Sequence, residues 1–306
     1  GEENFWPTLS HSSGGKLYLV DGARSAILRV EGLASLRRVE GGEVEVTEEL
    51  LKKCHEWQVE VEALRQEHED SGVLQARVRE EKPVVDGELG DWAGAKWVDI
   101  DKSGVKAYFN ADSKPYDVSA ALAVAEGRLF AAWRTADENL LKNSGEMPLA
   151  PFKTGGALDL MLGPEKREGR REPVAGDLRL LVTLKEGKAR AMLYRAVVSG
   201  TAEEAKVPFS SPWRTITFDE VREVTEELEF GQAGGNYEIS VPLKLLGISG
   251  TAGTSLRGDV GVLRGNGRET TARVYWSNKA TAITADVPEE AKLVPLLWGE
   301  IEFVSE

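Results

Sequence analysis

The chain has 306 residues, 41% hydrophobic and 29% charged, the composition of a folded globular protein and not of a disordered one. A formal net charge of −13 argues against a nucleic-acid partner, because a phosphate backbone is bound by a basic surface. The single cysteine, Cys54, excludes an intramolecular disulfide framework and any multi-cysteine zinc site.

Residues 1–46 contain short β-like runs at 16–20 and 26–30, joined across Asp21-Gly22. An Asp-Gly between apolar runs predicts a hairpin. The run Gly15-Lys16-Leu17-Tyr18-Leu19-Val20-Asp21-Gly22 also resembles one strand pair of a β-propeller blade. No second copy follows at a fixed period, so the segment is expected to be the tail of an upstream domain or a separate docking hairpin. The opening Gly1-Glu2-Glu3-Asn4 carries no basic start and no apolar h-region. It predicts a fragment of a larger exported bacterial protein, periplasmic or extracellular.

Residues 47–72 are expected to form a long helix or connector, with the helix over 47–70. Thr47 suits an N-cap, Glu48 and Glu49 suit the positive end, and Ser71-Gly72 suits a stop. Leu50, Cys54, Trp57, Val61 and Leu64 make one narrow apolar seam. Cys54 on that seam reads as a small core hydrophobe.

Residues 73–306 read as β throughout, with runs at 119–124, 128–133, 157–162, 178–184, 189–197, 237–241, 260–263, 271–276 and 299–304. Turn-rich segments separate them and no helical pattern recurs, apart from a short turn expected at 243–246 after Pro242. The fold class is therefore mainly β, an antiparallel β-sandwich with an N-terminal hairpin segment and one long helix. The apolar stretch 120–133 is broken by Glu126, Gly127 and Arg128, too early to span a bilayer, so no membrane partner is expected. The basic run Lys166, Arg167, Arg170 and Arg171 reads as a solvated loop. Asp99, Asp101 and Ser103 place oxygen ligands at alternate positions ahead of Gly104, like the first half of a calcium loop. Asn110 stands where a closing Glu would fall. No cofactor is expected unless this half-loop holds a structural calcium ion; the alternative is an acidic strand end.

Motifs within the β region resemble, in order, those of carbohydrate-binding modules of family 9, a DOMON-related group. Val84-Val85-Asp86-Gly87-Glu88-Leu89-Gly90-Asp91-Trp92 resembles the family's opening; Arg128-Leu129-Phe130-Ala131-Ala132-Trp133, ahead of Asp137 and Glu138, its strand before an acidic loop. Pro151-Phe152 with Ala157-Leu158-Asp159-Leu160, then Asp177-Leu178-Arg179-Leu180, follow. Asn236-Tyr237-Glu238-Ile239-Ser240-Val241-Pro242-Leu243, Val274-Tyr275-Trp276-Ser277 and Trp298-Gly299-Glu300-Ile301 complete the series to residue 304.

The resemblance implies a sugar site in which two aromatic rings sandwich a terminal sugar while charged side chains bind its hydroxyls. A pyranose has an apolar C–H face and a polar rim, so it needs both. Carried over, Phe152 takes the first aromatic position, Asp159 the strand carboxylate and Arg179 the strand arginine. The second aromatic is expected just before Pro295, where this chain has Lys292, Leu293 and Val294. Trp92, Trp133, Trp276 and Trp298 fall in family motifs and are expected in the core. Trp97 and Trp213 lie in loop-like contexts and are candidate exposed stacking platforms.

No Ser/His/Asp order, Walker loop or zinc motif is present, so no enzyme is expected. The functional expectation is a non-catalytic carbohydrate-binding-like accessory domain, its partner a glycan or polysaccharide and its neighbours other domains of the same polypeptide. The alternative is a structural interaction domain that has lost sugar binding. A haem-binding electron-transfer domain of the same superfamily is a third reading. It would need Met147, Met161 or Met192 to pair with His11, His55 or His68, all of which precede the β region.

Overall fold

The computed structural model describes residues 72–100, 118–164, 166, 169–278 and 286–306, together with the backbone of 8–13, 16–21, 26–30 and 105–106. The expected helix over 47–70 lies outside the described residues. Two compact units divide the chain, Gly1–Glu67 with Ala280–Ile283 and His68–Lys279 with Thr284–Glu306. In the first, β1 (Thr8–Ser13), β2 (Lys16–Asp21) and β3 (Ala26–Val30) make an antiparallel sheet in that order. The expected hairpin is its β2–β3 pair, and β1 is a further strand.

The second unit carries the remaining strands: β4 (Val73–Val78), β5 (Val98–Ile100), β6 (Val105–Lys106), β7 (Val118–Ala125), β8 (Arg128–Arg134), β9 (Ala157–Gly163), β10 (Leu178–Lys185) and β11 (Lys188–Arg195). They continue as β12 (Val207–Ser210), β13 (Thr215–Phe218), β14 (Glu220–Glu223), β15 (Glu229–Ala233), β16 (Asn236–Pro242), β17 (Ser255–Gly265), β18 (Thr270–Tyr275) and β19 (Gly299–Ser305). Two short helices, α1 (Leu243–Leu246) and α2 (Val287–Ala291), punctuate them. The helical turn expected after Pro242 is α1.

One curled sheet runs β14-β11-β10-β9-β17-β19-β4-β7-β8-β16-β15, and β12–β13 stand apart as a two-stranded ribbon. Strand β17 is the corner: one edge pairs with β9, and the other pairs with β19 at its start and with β18 at its end. The antiparallel expectation is corrected at β4, which runs parallel to both β19 and β7. Parallel neighbours need long crossovers, and β4 has them: it opens the unit, β19 closes it, and the segment 79–117 separates β4 from β7.

Period-2 side-chain alternation explains the curl. Leu158, Leu160 and Leu162 of β9, Leu178, Leu180 and Val182 of β10, and Val260 and Val262 of β17 face one central core. Leu122 and Val124 of β7, Leu129 and Trp133 of β8, and Ile239 and Val241 of β16 face the same core from the opposite limb. The intervening residues are buried too. Those of β9–β11 enter a second cluster with Phe152 and Trp298, and Ala121, Ala123 and Ala132 make room for Trp92 in a third. Strands covered on both faces read as continuous apolar runs, which is why 118–134 looks so uniformly hydrophobic. At the β7–β8 turn Glu126 and Gly127 have φ 48° and 71°, the left-handed pair of a two-residue hairpin.

The Asp86-Gly87 turn is pinned to β16 through one carboxylate. Glu238 accepts from Gly87 N at 2.6 Å, Asp86 N at 3.2 Å and Trp92 Nε1 at 2.5 Å, and is itself buried. Two motifs far apart in sequence are thus one structural device. Gly87 sits at φ +88°, and a Cβ there would lie 2.2 Å from Ala233 N. A Gly87→Ala change is therefore expected to cost about 3 kcal/mol through strain and backbone displacement. Urea unfolding of that variant with an unchanged midpoint would contradict this packing.

Candidate functional site

Phe152, Asp159 and Arg179 come together on the outer face of the β9–β10–β11 limb. Asp159 on β9 and Arg179 on β10 are diagonal neighbours in the ladder, since Leu181 stands opposite Asp159 and Met161 opposite Arg179. Arg179 donates from Nε at 2.9 Å and Nη2 at 2.7 Å to the two Asp159 oxygens, a bidentate charge-assisted pair. Its third arm, Nη1, donates to the Glu290 main-chain oxygen at 2.7 Å, and its guanidinium carbon lies 5.4 Å from the Phe152 ring centroid.

Tyr275 completes the cluster in a way the sequence motif does not show. On β17, Gly261 stands opposite both Asp159 and Tyr275. A Cβ at Gly261 would lie 2.4 Å from a Tyr275 ring carbon, so the missing side chain lets the ring lie across β17. The Tyr275 hydroxyl then donates to Asp159 Oδ2 at 2.7 Å. Burial pushes the Tyr275 phenol up, and the Asp159 carboxylate pushes it further. For Arg179, burial is the largest single influence and favours the neutral form, but the Asp159 charge and hydrogen bonds together with the nearby Tyr275 and Tyr194 phenols outweigh it, and the guanidinium is held above its ordinary value.

This cluster is closed to solvent. Phe152 and Asp159 are 0% exposed and Arg179 is 1% exposed. Phe152 packs edge-on against Phe209 at 5.7 Å and tilted against Tyr194 at 6.1 Å, and Phe218 extends the group of rings. Leu293, from the stretch where the resemblance places the second aromatic, is buried in the same cluster. From α2, the Glu290 carboxylate receives Lys153 Nζ at 2.7 Å. Burial raises its affinity for a proton, against the pull of Arg273 and Lys153, and its Oε2 is buried without a hydrogen-bond partner among the described residues.

Trp213 has the opposite setting. It sits between β12 and β13 at the tip of the ribbon, 74% exposed. Ser211 Oγ accepts from Trp213 N at 3.3 Å and Arg214 N at 3.4 Å. Arg214 binds Asp286 at 2.5 Å and Glu289 at 2.7 Å, so the tip is braced at its base. Trp97, the other loop candidate, is half-buried: the Arg134 guanidinium lies 3.7 Å from its ring centroid and Trp92 packs beside it. Trp92, Trp133, Trp276 and Trp298 are buried, as expected from their motifs.

Other expectations fare differently. Arg170 is not solvated: it is buried and pairs through two nitrogens with Asp177, which also accepts from Val174 N at 2.8 Å. That carboxylate organises the turn into β10, and so draws Arg170 inward. Met161 and Met192 are buried beside Phe152 in the second core cluster, whereas Met147 is partly exposed. Asp99 lies exposed on β5, and Asp101 and Ser103 lie outside the described residues. No helix among the described residues is long and apolar enough to cross a membrane.

No family model matches the chain, and no curated protein matches it. Among solved structures, it is similar to a carbohydrate-binding module family 9 from Caldicellulosiruptor kristjanssonii in complex with glucose, at 14% identity and a TM-score of 0.45, covering 76% of this chain and 96% of that one. It is also similar to such a module from the same organism in complex with cellotriose, at 13% identity and a TM-score of 0.44, covering 76% and 94%.

Proposed function

We propose that the chain is a non-catalytic, carbohydrate-binding-like accessory domain of a larger exported bacterial protein, and that it meets its glycan at Trp213. The ordered motif resemblance supports the class. The observation that carries the site is the exposed indole on a braced ribbon tip. An indole 74% exposed on a braced support suits stacking on the C–H face of a sugar ring. Arg214 beside it, and Ser211 at the turn, supply polar groups for the sugar's rim. Trp213→Ala is expected to leave stability within about 0.5 kcal/mol, as for a surface change. It should weaken glycan binding by at least about 1 kcal/mol, the worth of an aromatic contact. A glycan array on the folded wild type, followed by the same array on the variant, checks both halves.

A second reading, a structural interaction domain that has lost sugar binding, is favoured by the burial of Phe152 and the mutual saturation of Asp159 and Arg179. A folded wild type that binds no glycan on the array would select it.

A structural calcium ion at Asp99, Asp101 and Ser103 belongs to the same proposal, with oxygen ligands of the kind calcium takes. Binding to the folded state alone must raise the melting temperature. Calcium at millimolar concentration is expected to raise it in wild type and not in Asp99→Asn/Asp101→Asn; no shift in wild type removes the ion from the account.

A further inference from the structure

We infer that the outer face of the β12–β13 ribbon extends the Trp213 contact into a row of subsites, and that this row reads internal stretches of a neutral, linear polysaccharide instead of a chain end. This rests on the proposal above that Trp213 stacks on a sugar.

Strand pairing sorts the ribbon into two faces. Val207 stands opposite Phe218 and Phe209 opposite Ile216. The two phenylalanines belong to the second core cluster, with Val207 and Ile216 packed against it. Pro208 stands opposite Thr217 and Ser210 opposite Thr215, and all four are exposed. Alternation thus anchors one face with apolar bulk and turns the other to solvent. Along β13 the exposed row leads through Thr217 and Thr215 to the 211–214 turn, where Ser211 N donates to the Arg214 main-chain oxygen at 2.9 Å. From 217 to 214 the strand covers roughly 10 Å at about 3.3 Å per residue. With the indole beyond it, the row is longer than one sugar ring.

The chemistry of the row matches a neutral sugar chain. The Ser210 and Thr215 hydroxyls lie 2.9 Å apart at the surface, and either can be the donor. A Ser or Thr hydroxyl both donates and accepts, as the hydroxyls of a sugar do. The cations that flank the row are balanced: Lys206 pairs with Glu203 at 2.7 Å, and Arg214 with Glu289 at 2.7 Å. In a chain of net charge −13, that balance disfavours a uronate or sulfated polymer. The exposure of the tip argues for internal stretches. A site that selects a chain end has to surround the terminal ring, whereas a ring stacked on an indole 74% exposed can continue into further sugars along the row. A protein strand is the poorer occupant, because Pro208 has no N–H to offer it.

The experiment is calorimetry on the full chain with the disaccharides and hexasaccharides of the cello, xylo and manno series, the borohydride-reduced hexasaccharides, and hexagalacturonate. Wild type is compared with Trp213→Ala and Thr215→Val/Thr217→Val. The valines keep the β-branched shape that suits a strand and remove the hydroxyls; urea unfolding checks that the variant is folded. Wild type is expected to bind one of the neutral hexasaccharides at least about tenfold more tightly than its disaccharide and than hexagalacturonate, and its reduced form within about twofold. The valine pair should lose about tenfold for that hexasaccharide, the worth of two hydrogen bonds, and keep its disaccharide affinity, whereas Trp213→Ala should weaken both. Loss of affinity on reduction, or equal affinity for disaccharide and hexasaccharide, overturns the internal-chain reading. Full hexasaccharide affinity in the folded valine pair overturns the ribbon subsites, and hexagalacturonate bound as tightly as the neutral chains overturns the neutral class. Wild type that binds only branched or charged glycans of the array through Trp213 also overturns this inference and leaves the glycan reading standing; binding to no array glycan removes the glycan reading itself.

Discussion

Replacing Glu238 by alanine is expected to destabilise the β unit by about 3 kcal/mol, since it strands buried donors that share a charged acceptor. The carboxylate receives Gly87 N and Asp86 N on one oxygen and Trp92 Nε1 on the other. Removing it leaves the indole N–H and the turn amides desolvated and unpaired, which costs more than the net worth of the bonds themselves. Glu238→Gln should fall between, because one amide nitrogen must face a donor. The two variants also differ from wild type in pH dependence. Burial raises the Glu238 carboxyl above its ordinary value, and the bonds from Trp92, Gly87 and Asp86 pull it back in part. The folded state therefore binds this proton more tightly than the unfolded chain does. Its contribution is full below the ordinary carboxylate range and is lost as pH rises through the raised value. The Glu290 carboxyl is raised as well, so the difference between wild type and Glu238→Gln isolates one group. Urea unfolding from pH 4 to pH 8 should show that difference changing in favour of the variant as pH rises; a constant difference would remove the burial argument.

Arg179→Met is expected to cost about 4 kcal/mol, the penalty for leaving one partner of a buried pair uncompensated. Asp159 would retain the Tyr275 hydroxyl but lose both guanidinium bonds, at a position closed to solvent. The double change Asp159→Leu/Arg179→Met should recover part of that loss, since a buried ion pair replaced by apolar groups of similar volume is often near neutral but the Tyr275 hydroxyl and the Glu290 main-chain oxygen lose their partners. The recovery is the informative part. Strong coupling between the two sites, well above the few tenths of a kcal/mol typical of independent positions, marks the pair as part of the folded core. Additive costs would mean that the two side chains do not act as a unit.

The strands were legible because their apolar runs were long and their turns marked: β7 through β11 begin and end within a residue or two of the runs read from sequence. The ribbon β12–β13 was not, because Pro208 and the Ser210-Ser211-Pro212 stretch carry turn chemistry that masks a short pair. The parallel placement of β4 was invisible for another reason. Register between the first and last strands of a unit is a long-range fact, and no local pattern encodes it.

At the candidate site, sequence motifs brought Phe152, Asp159 and Arg179 to one place but did not show whether they face water. Exposure depends on what lies over them, and α2 is too short to announce itself by periodicity. Tyr275 had a readable signal that went unused: Gly261 within an apolar strand marks a close approach, here the Tyr275 ring. Glu238 had one as well, as the lone charge of β16 between Tyr237 and Ile239, where burial demands partners.

Calorimetry of one array-selected glycan against wild type, Trp213→Ala and Phe152→Ala tests most directly the claim that sugar is met at the exposed ribbon and not at the buried cluster. The account predicts binding to wild type, loss of at least about 1 kcal/mol in folded Trp213→Ala, and undiminished affinity in whatever fraction of the less stable Phe152→Ala remains folded. Full affinity in Trp213→Ala together with loss in folded Phe152→Ala would contradict it and return the sugar to the cluster of Asp159 and Arg179.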